Sequence, residues 1–183
     1  MSGTLRLFIA AEPPAAVCDE LVAWTRRAAG RGAQMRRLEA DALHITLCFL
    51  GEQPSAFLAE IGAVLTAASE LAASVDELYV GAPAWLPPRR PRVLAVEVGD
   101  AGGSLRDLHA TLSRELAEAI GWEPPRQRFR PHITIARMRP GDERARELPP
   151  TPSLGFRPTA VTLLRSDLDP AGARYTALAS IGC

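Results

Sequence analysis

Two tetrads, His44-Ile45-Thr46-Leu47 and His132-Ile133-Thr134-Ile135, stand 88 positions apart (132 minus 44). Each places a ring that titrates near neutral pH two residues ahead of a hydroxyl. In an extended strand successive side chains point to opposite faces, so His44 and Thr46 share one face while Ile45 and Leu47 hold the other. His132 and Thr134 do the same. Two such strands facing one cleft would supply two imidazoles and two hydroxyls, a set suited to phosphodiester hydrolysis. There a water loses a proton on one side of phosphorus and an alkoxide gains one on the other, and imidazole, with an unperturbed pKa of about 6.5, serves either end. The hydroxyls of Thr46 and Thr134 would donate to the non-bridging phosphate oxygens as these gain charge, a role that needs no metal.

A single histidine opening an apolar strand is usually structural, but two in matching contexts, among only three histidines in the chain, point to function. His109 is the contrast: it lies in a helical pattern between Leu108 and Leu112 with no threonine two positions on, and reads as structural or solvent-facing. Strict alternation puts Cys48 on the His44 face, yet no further ligand is spaced to complete a metal site. The three cysteines, Cys18, Cys48 and Cys183, lack CxxC spacing and read as reduced thiols.

The 21 basic residues are all arginine, and the chain has no lysine. That removes a P-loop lysine, a Schiff-base nucleophile, a pyridoxal-phosphate attachment and a lysine adenylate. Balanced by 21 acidic residues, they give a formal net charge of zero, so any contact with a polyanion must be local. No apolar run approaches the roughly 18 residues that cross a bilayer, and Met1 to Pro13 carries Arg6 and Glu12 rather than a signal pattern. We expect one domain over residues 1–183, monomeric, cytoplasmic and without a membrane partner.

The elements that would position the tetrads alternate irregularly. Strands are predicted at Leu5–Ala10, Met35–Leu38, His44–Leu50, from Leu78 to Val80, Val93–Val98, His132–Met138, Ala160–Arg165 and Tyr175–Ser180. Helices are predicted over Ala15–Ala28, ended by Gly30 and Gly32, from Pro54 through Leu65, and over Ser104–Ile120. Arginine-bearing loops fall at Pro87–Pro91 and Pro124–Pro131. The pattern implies an α+β fold: bilobal, with two antiparallel β-sheets and flanking helices around a central cleft, its pseudo-twofold lobes each carrying one His-x-Thr-x strand.

The segments His44-Ile-Thr-Leu-Cys-Phe-Leu-Gly51 and Arg130-Pro-His-Ile-Thr-Ile-Ala-Arg137 resemble the 2H phosphoesterase superfamily, and within it the RNA 2′,3′-cyclic phosphodiesterases, also called the 2′-5′ RNA ligase family. Arg6-Leu-Phe-Ile-Ala-Ala11, Leu164-Arg-Ser166 and Tyr175 are similar to that family's ends. The resemblance implies opening of a terminal 2′,3′-cyclic phosphate on RNA, or on a small nucleotide, to a 2′-phosphate without a cofactor. It assigns proton donation to His44 and acceptance to His132. Where family members usually carry an aromatic residue before the first tetrad, this chain has Arg36-Arg37-Leu38. Arg137 follows the second tetrad, although alternation turns it away from His132 unless a bulge re-aims it. Three alternatives stay open: 2′-5′ ligation as the reverse reaction, a related enzyme acting on a small cyclic ester, and a non-catalytic RNA-binding module.

Overall fold

A computed structural model describes residues 3–28, 35–138, 147–169 and 172–183. In chain order it has β1 (Thr4–Glu12), α1 (Ala15–Ala28), the short β2 (Arg36–Arg37), β3 (Ile45–Pro54), α2 (Leu58–Ala67), α3 (Ser69–Ala73) and β4 (Leu78–Leu86). There follow β5 (Val93–Gly99), α4 (Ser104–Ile120), β6 (His132–Arg137), β7 (Gly155–Phe156), β8 (Ala160–Asp169) and β9 (Gly172–Gly182). Every pairing is antiparallel, in the order β7-β4-β5-β6-β3-β1-β8-β9, with β2 added to β6.

The two expected sheets are the halves of this ladder. Among the described residues they join through one residue pair, Ile45 opposite Ile133, the second residue of each tetrad. The ladder is therefore continuous, and its seam is narrow for a local reason. Against β1, the register of β3 slips between Cys48 and Thr46, leaving Leu47 as an extra residue. Against β5, β6 slips between Ala136 and Thr134, leaving Ile135 extra. A bulge bends and twists its strand, so each motif strand turns from its neighbour one step past its threonine.

The segment β1-α1-β3 recurs as β5-α4-β6, with α4 starting 89 residues after α1 (104 minus 15). Each helix then crosses the seam: α1 packs on β6 and α4 on β3. Leu105, Leu108, Leu112 and Leu116 of α4 are fully buried, one stripe at helical spacing. The helix begins where the Asp100 carboxylate accepts from the N–H groups of Leu105 and Arg106, at 3.4 and 3.0 Å. It ends at Gly121, whose φ of 67° suits a residue without Cβ. Leu7, Ile9, Ile45, Leu94, Val96 and Ile133 join this stripe in one core. A second, small cluster of Phe8, Ala10 and Leu164, with Tyr175 packed on it, lies apart from that core.

The helix bounds at α1 and α4 match those expected from periodicity. The segment from Pro54 instead opens with a 3-10 turn over Ser55–Phe57. β4 continues past Val80 because its register shift between Val80 and Pro83 admits a proline that an unbroken ladder would not. The two-residue β7 has no counterpart among the predicted strands, and Gly30 and Gly32 lie outside the described residues.

Candidate active site

His44 immediately precedes β3 and His132 is the first residue of β6. In an antiparallel register, the positions flanking the Ile45–Ile133 pair set His44 against Thr134 and His132 against Thr46. All four side chains sit on the face opposite the buried isoleucines. Both rings are held alike: His44 Nδ1 lies 2.9 Å from the carbonyl oxygen of Ala42 and His132 Nδ1 2.8 Å from that of Arg130. A carbonyl only accepts, so Nδ1 carries the proton in each ring and Nε2 keeps the lone pair when the ring is neutral. Among the described residues neither threonine hydroxyl is taken up by a hydrogen bond.

The two rings differ in their surroundings. His44 sits among Phe8, at 4.9 Å between ring centroids, and Tyr175, edge-on at 5.2 Å. Burial pushes its pKa down to about 4; the Ala42 carbonyl works against this, while the charges of Arg137 and His132 add to it. His44 is thus neutral through the neutral range. As pH falls from about 6.5 towards 4, the unfolded ring gains a proton that the folded ring refuses, so stability is lost across that window and the loss levels off below it. We predict a loss of roughly 2–3 kcal/mol from this ring, absent in His44→Gln. Denaturant midpoints of both proteins at pH 7 and pH 4 check it.

The bulges decide which further side chains reach the cleft. On β5, Val93, Ala95 and Glu97 share a face and pair with Arg137, Thr134 and His132 respectively. Arg137 therefore lies on the His132 face, re-aimed by the extra residue Ile135. The matching slip in β3 brings Phe49 to the face of Thr46 and turns Cys48 to the other. Cys48 is buried, its sulfur 3.7 Å from Ser113 Oγ on α4, so it does not share the His44 face as strict alternation requires. Phe49 is exposed, with the Arg6 guanidinium 4.8 Å above its ring. Glu97, opposite His132, is bonded at 2.8 Å by Arg130.

Sequence reasoning gave Phe8, Tyr175 and Glu97 no role. The signal was present in the first case, since the strand ends that carry the family likeness are the segments that surround His44. His109 stacks on Phe129, ring centroids 4.1 Å apart and nearly parallel, and is half-buried rather than solvent-facing. Among the described residues, no three His, Cys, Asp or Glu side chains are grouped to hold a metal, and no helix is long and apolar enough to cross a membrane.

A duplicated α+β fold with a His-x-Thr strand from each half meeting at one seam defines a 2H phosphoesterase. The family model described as the 2′-5′ RNA ligase superfamily matches residues 13–170, and the chain belongs to that superfamily. It is 32% identical over 188 aligned positions to a Thermus thermophilus protein named RNA 2′,3′-cyclic phosphodiesterase, covering 95% of this chain and 88% of that one. It is 36% identical over 108 positions to an Aeropyrum pernix protein of the same name, covering 59% of this chain and 60% of that protein's length. Among solved structures, TT0787 of T. thermophilus superposes with a TM-score of 0.78 at 28% identity, covering 97% of both chains.

Proposed function

We propose that the protein hydrolyses a terminal 2′,3′-cyclic phosphate on RNA to a 2′-phosphate, with His44 and His132 as the acid–base pair and Thr46 and Thr134 as phosphate donors. The observation that carries this reading is the Ile45–Ile133 register, which sets each imidazole against the other tetrad's hydroxyl. The names of the two relatives support the substrate class.

In this mechanism one Nε2 takes a proton from the attacking water as its oxygen bonds phosphorus. The P–O3′ bond breaks, and the other ring, protonated at Nε2, gives that proton to O3′. The products are a 2′-phosphate and a free 3′-hydroxyl, and solvent restores both rings. The two hydroxyls, with Arg137 beside them, bear on the phosphate oxygens as charge gathers there. Family resemblance makes His44 the donor. With its pKa pushed down to about 4, that role requires the bound phosphate anion to raise it, which an opposite charge at close range does. Ligation uses the same groups with an RNA hydroxyl in place of water, and water at about 55 M favours hydrolysis unless the ends are held.

The test is a short RNA ending in a 2′,3′-cyclic phosphate, incubated with the protein in EDTA, the product located by mass and phosphatase sensitivity. We expect full activity in EDTA and a 2′-phosphate product. Loss of activity on chelation, restored by a divalent cation, overturns the metal-free mechanism. Cleavage of a small cyclic nucleotide but not the RNA would leave the chemistry and replace the substrate, whereas RNA binding without turnover would favour the binding-module alternative.

A further inference from the structure

A cavity of about 740 Å³ opens from one end of the seam, touching Thr46 and His132 but neither His44 nor Thr134. It lies where β3 and β6 have parted. At the opposite end of the seam the corresponding gap is closed by β2, which pairs Arg36 and Arg37 with Arg137 and Ala136. Here the loop from Trp122 to Pro131 borders the gap without pairing, and the Leu86–Pro88 turn faces it. The walls are rich in rings: Phe49, His109, Trp122 and Phe129. Burial lowers the His109 pKa, which favours the uncharged ring in the stack on Phe129.

The two loops beside the cavity carry arginines. Arg128 and Arg130 line it, Arg126 adjoins them, and Arg89, Arg90 and Arg92 continue the loop that Pro87 and Pro88 begin. Arg130 is neutralised by Glu97, which also lines the cavity. The other five are exposed and, among the described residues, none has a carboxylate partner. A cyclic mononucleotide brings one phosphate, and the tetrads already supply its donors. Five more guanidiniums beside aromatic walls match a longer anion that alternates flat bases with phosphodiesters.

We propose that this cavity, between the 87–92 and 126–131 loops, is a subsite for the RNA nucleotides preceding the one that bears the cyclic phosphate, with a base stacked among its rings and the arginines on the internucleotide phosphates. The enzyme is then selective for a strand over a mononucleotide. The inference rests on the reading of the seam as a phosphodiesterase site, and the test separates the two.

The experiment compares kcat/KM for a cyclic mononucleotide and for a trinucleotide with the same cyclic end, in the wild type, in Phe129→Leu, and in an Arg126→Gln/Arg128→Gln double variant. We expect the wild type to favour the trinucleotide, and Phe129→Leu to cut that preference on the order of tenfold, the usual scale for loss of one base–aromatic stack. Phe129→Leu keeps an apolar side chain where Phe129 meets the core, and the double variant touches exposed residues only. The double variant should also flatten the salt dependence of the trinucleotide reaction, by about 0.7 in log–log slope for each phosphate that an arginine no longer neutralises. Equal wild-type kcat/KM for both substrates, or losses in Phe129→Leu that are the same for both, would overturn the subsite. Anisotropy of a fluorescein-labelled trinucleotide ending in a 2′-phosphate reads the subsite without catalysis. Tenfold weaker binding to Phe129→Leu with no turnover of either cyclic substrate by the wild type would uphold the subsite and refute the phosphodiesterase.

Discussion

Replacing either tetrad histidine by alanine is expected to lower kcat on the cyclic phosphate by about 10²- to 10⁴-fold, the usual worth of one general acid or base. The double variant should fall well short of the product of the two losses, because the rings act on one transition state and the second loss removes assistance already compromised by the first. Single-turnover rates for His44→Ala, His132→Ala and the pair measure this directly. The two singles should also differ in pH dependence. His132→Ala leaves the donor ring with a pKa of about 4, so its residual kcat/KM falls as pH rises through that value, while His44→Ala loses that fall. Either single variant with wild-type turnover would remove its histidine from the chemistry.

The other large effect lies beneath the site. Ile133 is fully buried and is half of the one residue pair that, among the described residues, joins β3 to β6 in the ladder. Truncation to alanine should cost roughly 2–5 kcal/mol, the removed methylenes plus a cavity that a close-packed core fills only in part. Leu78 is equally buried but lies on β4, which β5 separates from β6, so Leu78→Ala should cost about as much in stability and leave kcat nearly intact. Ile133→Ala should lower both, since His132 and Thr134 flank it on either side. Urea midpoints and kcat measured on the same preparations separate the two quantities. A seam variant that loses stability with no change in kcat would mean that the tetrads are positioned by their own lobes and not by each other.

The tetrads were legible in the sequence because their information is local: residue type, a period of two and a repeated spacing. The α4 helix was legible for the same reason, with its leucines at helical spacing. What escaped depends on partners distant in sequence. A bulge exists only relative to the neighbouring strand, so nothing in Leu47-Cys48-Phe49 alone says that Cys48 will face Ser113 while Phe49 turns to the cleft. The predicted strand stops at Val80, and its continuation through Pro83 to Leu86 exists only in its pairing with β5. The contrast between the two histidines, one walled by Phe8 and Tyr175, draws on strands at both ends of the chain. A two-residue strand such as β7 has no period to detect.

The exchange of helices across the seam bears on how such a molecule could arise. A half-length chain made of one strand, one helix and one tetrad strand would leave its sheet bare, because its helix covers the partner's tetrad strand. Two copies would have to trade helices to bury either core, and each copy would bring the same histidine in the same setting. Joining the copies into one polypeptide frees the two settings to diverge. One imidazole here is enclosed by Phe8 and Tyr175 and the other borders a cavity. Division of labour between identical chemical groups is then built into the unliganded protein, where a symmetric dimer would acquire it only on binding an asymmetric substrate.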